Sequence, residues 1–331
     1  GLIGVWQFGQ TRRGSRAALL ALPALLAPTV FFGLRGGVKS YADQVYEAES
    51  AYNYIQVIRQ DGCNYLLLNE GQAYHSFYCD GGRVPAVSVW STMLAAPYFN
   101  AGAQPPQRVA MVGLAAGTMA KQFTRVFGPL PIDGIELDPA VVAAGRAYFA
   151  LDEANIRVVI GDGRYALAGL PGPYDVITVD AYKVPYIPWH LTTREFFAEA
   201  AGKLSDTGVL AINVGRVPGD RRLVDAVGAT LASVFPSVHA IDVPGTLNTI
   251  VVATRQPTTA ANLAANLAVL PPAADALLRD ALRTAVANPG VIAPGGTVFT
   301  DDRAPVETIS DSVVVRYLLE IGPEGLNTLG Q

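Results

Sequence analysis

The sequence predicts an α/β fold, a mostly parallel sheet covered on both faces, preceded by a small antiparallel β-unit. Two observations carry this. From Arg108 onward the runs RVAMVGL, PIDGIELD, IRVVIGD, YDVITVDAY and GVLAINVG follow one another with helical stretches between them. Short apolar strands alternating with helices make βαβ units and a sheet buried on both sides. Residues 38–80 instead alternate like strands with no helix between, and Asp61-Gly62 separates YNYIQVIRQ from NYLLLNEG. Asp-Gly between alternating runs is a hairpin signal.

The 331 residues allow two domains, or one large α/β domain with additions. Half of them are apolar and 16% are charged, which excludes a disordered, solvating chain. With 24 basic against 28 acidic side chains the net charge is -4, which argues against a nucleic-acid binder. Cys63 and Cys79 are too few for a disulfide framework or a Cys-only metal site. They are expected as two reduced, partly buried thiols.

Taken from the N-terminus, Ala17 to Leu34 is an uncharged apolar run with Arg12, Arg13 and Arg16 before it and Arg35 and Lys39 after it. It has the length of a short membrane span, and membranes tolerate its Pro23 and Pro28. The expectation is a membrane anchor, or the last span of a truncated membrane region. The alternative is a buried, Pro-kinked segment. Beyond the five strand-like runs, Thr192-x-x-Glu195 reads as a capping box opening a helix. A helix near Arg221–Phe235 follows, then VHAIDV and NTIVVAT with no helix between them, so that edge of the sheet is expected to be antiparallel. Residues 257–290 read as a helical appendage, and the tail holds VFTDDRAPVE and a last helix, SDSVVVRYLLEI.

The chemistry-bearing residues cluster at strand ends. Gly113, Ala115 and Gly117 lie in VGLAAGT between a strand and a helix, where small residues let the backbone turn sharply near a ligand. Glu136 ends the next strand nineteen positions after Gly117, the place of a ribose-binding acid in such sheets. Asp138, before Pro139, reads as a helix cap. Asp162-Gly163 closes the third strand and Asp180 the fourth. Ligands bind outside the carboxyl ends of strands at a switch point, so these positions are expected to converge on one crevice. Asp162 suits an adenine amine, and Asp180 the reacting centre. No zinc or calcium spacing is present, and no metal is expected. For Asp301-Asp302-Arg303 an internal Asp–Arg pairing is expected.

At these residues the chain resembles the spermidine synthase (aminopropyltransferase) family, and more closely its membrane-fused bacterial branch. The resemblance rests on ESAYNYIQV, LLLNEGQAYHS, VGLAAGT, IELDP, GDGR, VDAYKVPYIPWHLTTREFF, AINVGR and TDDRAPVE, over roughly residues 46–317. It implies an N-terminal β-domain, a methyltransferase-like Rossmann domain, a decarboxylated S-adenosylmethionine donor and a membrane region upstream. The expected organisation is a hydrophobic segment at 1–37, a β-hairpin domain at 38–100, an adenosyl-donor domain at 101–256, and a helical appendage with tail at 257–331.

Departures from the family pattern are concentrated on the acceptor side. Ala116 stands where the family has an Asp for the donor's amine, and Trp90-Ser91-Thr92 where it has Tyr-His-Glu. The paired aspartates after the fourth strand become Asp180-Ala181-Tyr182-Lys183, so the second acid is replaced by a lysine. A lysine beside a polyamine cation opposes its binding. Glu70, His75, Ser76, Lys183 and His190 are the acceptor-side candidates, with Asn213 and Asn248 as polar liners and His239 structural. The expected activity is transfer from the adenosyl-sulfonium donor to a small amine, with Asp180 taking or orienting the nucleophile's proton and Tyr182 assisting. The alternatives are a small-molecule methyltransferase using S-adenosylmethionine, and an inactive nucleoside-binding or membrane-assembly subunit. A homodimer is expected, at the cell membrane with its globular part in the cytoplasm.

Overall fold

The computed structural model of the chain describes residues 43–69, 73–183 and 186–325. The expected membrane segment lies outside these residues, as does Glu70. Among the described residues no helix is long and apolar enough to cross a membrane.

The first sheet is a four-stranded antiparallel meander of β1 (Gln44–Glu49), β2 (Tyr54–Gln60), β3 (Cys63–Leu68) and β4 (Tyr74–Cys79). Asp61 and Gly62 join β2 to β3 with φ of 49° and 73°. Two successive positive φ values suit the twist of a two-residue hairpin, which is why Asp-Gly occupies it. Ile55 and Val57 on β2, with Leu66 and Leu68 on β3, present one apolar face. That face packs on Ala116, Val141, Ala144 and Phe149 of the second unit. Ser50 and Asn53 complete the joint, both donating to Oδ2 of Asp138, at 2.5 and 2.9 Å.

Cys63 and Cys79 are not the reduced thiols expected. They are register partners across β3 and β4 and form a disulfide, both buried. Sixteen positions of sequence do not bring two cysteines together; the antiparallel register of the two strands does.

The second sheet has seven strands in the order β10-β11-β9-β8-β5-β6-β7. These are β5 (Val109–Val112), β6 (Ile132–Glu136), β7 (Ile156–Ile160), β8 (Tyr174–Val179), β9 (Leu204–Gly215), β10 (Ser237–Asp242) and β11 (Asn248–Thr254). The neighbours from β7 to β9 are parallel, while β11 runs antiparallel to both β9 and β10. The helix-free connection from β10 to β11 makes that edge antiparallel, as its sequence indicates. Period-two alternation divides the core: Val109 and Met111 face one apolar cluster, Ala110 and Val112 the other.

The helices are α1 (Val89–Met93), α2 (Thr118–Phe127), α3 (Pro139–Tyr148), α4 (Gly163–Gly169), α5 (Arg194–Ala201), α6 (Arg222–Ala232), α7 (Ala261–Ala268), α8 (Ala276–Ala287) and α9 (Val306–Gly325). Asp138 caps α3 through the Ala140 N–H, ahead of Pro139. The cap of α5 is Thr193, which accepts from the Phe196 N–H, one residue later than the Thr192-x-x-Glu195 reading. Thr192 instead donates to the Trp189 carbonyl, and Glu195 accepts from the Asp301 N–H. Met93, Leu94, Tyr98 and Phe99 share the sheet's own core with Leu278 and Leu282 of α8. The expected boundary at residue 100 therefore falls inside one packed cluster, and the β-unit's own strands end at Cys79.

Candidate active site

The chain reverses its direction across the sheet at β5, whose neighbours are β6 on one side and β8 on the other. A crevice opens at the carboxyl ends of strands at such a point. The β5–α2 loop starts with the Gly113 and Leu114 N–H groups, both donating to the Ile135 carbonyl. Gly113 has φ +92°, and a Cβ there would lie 2.6 Å from the Asp180 carbonyl carbon. Glycine is thus required by the close approach of the β8 chain itself. Gly117, with φ +90°, caps α2, and Ala115 sits at φ 48° between them.

Glu136 is bound directly to this loop. Its Oε2 accepts from the Ala115 N–H at 2.8 Å and its Oε1 from the Asp138 N–H at 3.0 Å. Burial pushes its carboxyl up, and these N–H groups oppose the shift. A carboxylate has about four lone-pair sites, so acceptor capacity is left for a ribose diol. Ala116 is buried and donates its N–H to Ser76 Oγ at 3.0 Å. The position where the resembled family carries an Asp is therefore turned against β4.

Asp162 caps α4, its Oδ1 accepting from the Arg164 and Tyr165 N–H groups. Its Oδ2 lies 2.8 Å from His190 Nε2. His190 thus lies against Asp162 and does not line the cavity that Asp180 borders. The acceptor-side expectation for it is corrected, because the turn at Trp189–Leu191 carries its ring over the end of β7 rather than β8.

A cavity of about 330 Å³ adjoins the loop on its other side. Gly113, Leu114 and Ala115 border it together with Asp180, Tyr182 and Asn213, and β4 contributes His75 and Ser76. Asn213 Nδ2 donates to Asp180 Oδ1 at 2.9 Å. Burial raises the Asp180 carboxyl above its ordinary range, against hydrogen bonds from Asn213 and Trp90. Tyr182 donates its hydroxyl proton to the Asn213 carbonyl at 3.0 Å, and burial raises its pKa too. His75 is pushed down to about 4 by burial, so its ring is neutral at pH 7. Three buried polar atoms on this wall, His75 Nε2, Asn213 Oδ1 and Ser310 Oγ, have no hydrogen-bond partner among the described residues. Such atoms at a cavity wall point to a ligand that supplies the missing bonds.

The model of the spermine/spermidine synthase domain matches residues 93–261, half of the chain, and spans the loop, Glu136, Asp162, Asp180 and Asn213. The chain belongs to the spermine/spermidine synthase family. It is 32% identical to a probable polyamine aminopropyl transferase of Bifidobacterium longum over 206 residues, 61% of this chain and 45% of that one. It is 36% identical to the polyamine aminopropyltransferase of Vibrio vulnificus over 143 residues, 42% of this chain and 47% of that one. The aligned stretches thus span under half the length of each relative. A probable spermidine synthase from Corynebacterium glutamicum has a similar fold, with a TM-score of 0.61 at 19% identity, covering 80% of this chain and 97% of that structure.

In this spermine/spermidine synthase family member the cavity is completed by elements on either side of the matched region. His75 and Ser76 come from the β-unit, Ser310, Val313 and Val314 from α9. Reading the last helix as a tail missed its part in the cavity, and the run VVV in SDSVVVRYLL was the available signal. Arg216, in the AINVGR stretch, also lines the cavity and was not singled out. Asn213 and Asn248 line it, as expected of polar liners. Lys183 does not: it is exposed and bonds through its backbone to Tyr186. The expected acceptor-side role of Lys183 is corrected on that ground, since a long cationic side chain is most cheaply left in water. His239 stacks on Phe99 and bonds Thr258, a structural place. Asp301 pairs with Arg164 and Thr193 rather than with Arg303. Among the described residues no acidic, His or Cys group has the makings of a metal site.

Proposed function

We propose that the protein transfers an aminopropyl group from decarboxylated S-adenosylmethionine to a small amine. The observation that carries this is that Glu136 is bonded to the Gly113–Gly117 loop through the Ala115 N–H, while Asp180 lines the cavity that the same loop borders. Glu136 would hold the ribose diol and Asp162 the adenine. The amine's lone pair attacks the carbon beside the sulfonium, the C–S bond breaks, and its electron pair stays on sulfur to give neutral methylthioadenosine. The nitrogen's surplus proton goes to Asp180, whose raised pKa suits a proton acceptor working near neutrality. Tyr182, its own proton spent on the Asn213 carbonyl, can accept an N–H and orient the nucleophile. Relatives named for this transfer support the reading.

Ala116 favours a second reading, a methyltransferase using S-adenosylmethionine, because the loop carries no acid for the donor's amine. Calorimetry with S-adenosylmethionine, its decarboxylated form and methylthioadenosine, followed by assay of methylthioadenosine release, separates the two. Release of S-adenosylhomocysteine would select the methyltransferase, and binding without turnover of any donor a non-catalytic nucleoside binder. Attachment to the membrane through Ala17–Leu34 belongs to the same proposal and is tested by fractionation without detergent.

A further inference from the structure

On the reading of amine alkylation just given, we propose that the acceptor is a primary monoamine with an uncharged, apolar tail rather than an α,ω-diamine. A diamine carries a second ammonium group, which needs a second carboxylate or a water-filled exit. Among the described residues lining the cavity, Asp180 is the single carboxylate, and it is engaged with the reacting nitrogen.

The other charged residue bordering the cavity is a cation, Arg216. Arg216 bonds through Nε to Thr249 Oγ1 at 3.0 Å and lies 3.3 Å from Asp242 Oδ1. Asp242 is also held in a two-pronged contact by Arg221, at 2.9 and 3.0 Å. Among the described lining residues the charged side chains are thus Asp180 and Arg216, so no second negative charge is present for the far ammonium group of a diamine.

The remaining surface suits a hydrocarbon. Val89, Met119, Leu223, Leu247, Val313 and Val314 converge on the cavity from α1, α2, α6, the β10–β11 turn and α9. The unpartnered Asn213 Oδ1 belongs to the side chain that grips Asp180, so one amine nitrogen can donate to both groups. An apolar tail then takes the place of water along the valine and leucine wall.

The test uses the full-length protein and measures binding apart from turnover. Calorimetry in saturating methylthioadenosine compares n-hexylamine, putrescine and 6-aminohexanoate, and methylthioadenosine release is then measured with each amine. The expected result is n-hexylamine binding at least about tenfold tighter than putrescine, a difference of 1.4 kcal/mol. Arg216→Gln is expected to narrow that gap by improving putrescine, and the wild-type series stands if the variant does not fold. Putrescine binding as tightly as n-hexylamine overturns the proposal. So does tightest binding of 6-aminohexanoate, which would make Arg216 an anion receptor. Putrescine binding that is lost in Glu70→Gln overturns it as well, by assigning the second carboxylate to Glu70. If n-hexylamine binds best but no amine yields methylthioadenosine, the transfer reading fails while the cavity's preference stands.

Discussion

Asp180 and Asn213 stand one residue beyond Val179 and Ile212, which are register partners on neighbouring parallel strands, and the Asn213 amide donates to Asp180 Oδ1 at 2.9 Å. The sheet's register therefore brings the carboxylate and the amide together. Asp180→Asn is expected to lower kcat by about 10²–10⁴-fold, the usual contribution of a positioned acid–base group, while donor affinity stays the same. Steady-state rates beside calorimetry check it. Because burial raises the Asp180 carboxyl, the acid limb of the wild-type rate profile should lie above the ordinary carboxylate range. Asn213→Leu should move that limb further up, since a hydrogen bond to the ionised form is removed.

Glu136→Ala is expected to weaken every adenosyl ligand by about 1.5–3 kcal/mol, the worth of hydrogen bonds to a charged group. It also frees the Ala115 and Asp138 N–H groups, so Glu136→Gln serves as the milder control. Unchanged affinity for methylthioadenosine in both variants would remove Glu136 from the site.

Gly113→Ala places a Cβ 2.6 Å from the Asp180 carbonyl carbon and 2.8 Å from the Ala181 nitrogen, at φ +92°. Neither neighbour is a flexible side-chain end, so backbone must move. A loss of about 1–3 kcal/mol of stability is expected from overpacking, read as a lower urea midpoint. Activity should fall with it at temperatures where the variant is still folded, since the displaced backbone is that of Asp180.

The contribution of His75 to stability should decline on acidification from about pH 6.5 toward pH 4. Burial holds His75 down to about 4, below the ordinary 6.5, so the unfolded chain binds a proton there that the folded chain does not. The contribution is complete above pH 6.5 and is lost as pH falls through the folded value, at most about 3–4 kcal/mol at 1.36 kcal/mol per pH unit. His239 is lowered by burial and acts with the same sign. His75→Gln should flatten the pH dependence of the urea midpoint without abolishing it.

Reduction of Cys63–Cys79 is expected to cost about 3 kcal/mol, the chain-entropy value for a loop of this length. The effect should reach the site, because Phe77 on the same strand lies 5.4 Å, ring to ring, from Trp90, which lines the cavity. Melting with and without reductant tests the first part. Identical melting curves, with free thiols verified after reduction, would refute it.

The strand–helix alternation, the Asp-Gly hairpin and the antiparallel edge were legible because each depends on local chemistry: hydrophobic period, turn conformation and the length of a connection. The Asp138 cap before Pro139 is equally local. Glu136 and Asp180 could be placed at strand ends on one side of the sheet because parallel strands all end on the same side. Where a reading needed the partner across space, it went astray. His190 was assigned to the acceptor although its ring lies against Asp162, Lys183 to the crevice although it faces water, and Cys63 and Cys79 to separate thiols.

The sequence by itself thus determined the fold class, the glycine loop after β5 and the acids at the strand ends. Tertiary structure alone decided what lines the cavity beside Asp180: Ser310, Val313 and Val314, about two hundred residues after Gly113, border it together with His75 on β4. The physical reason is that periodicity and turn chemistry act over a few residues, within reach of a local reading. A cavity wall is set by which distant faces bury one another, and packing places Arg216 at this one while Lys183 is left exposed.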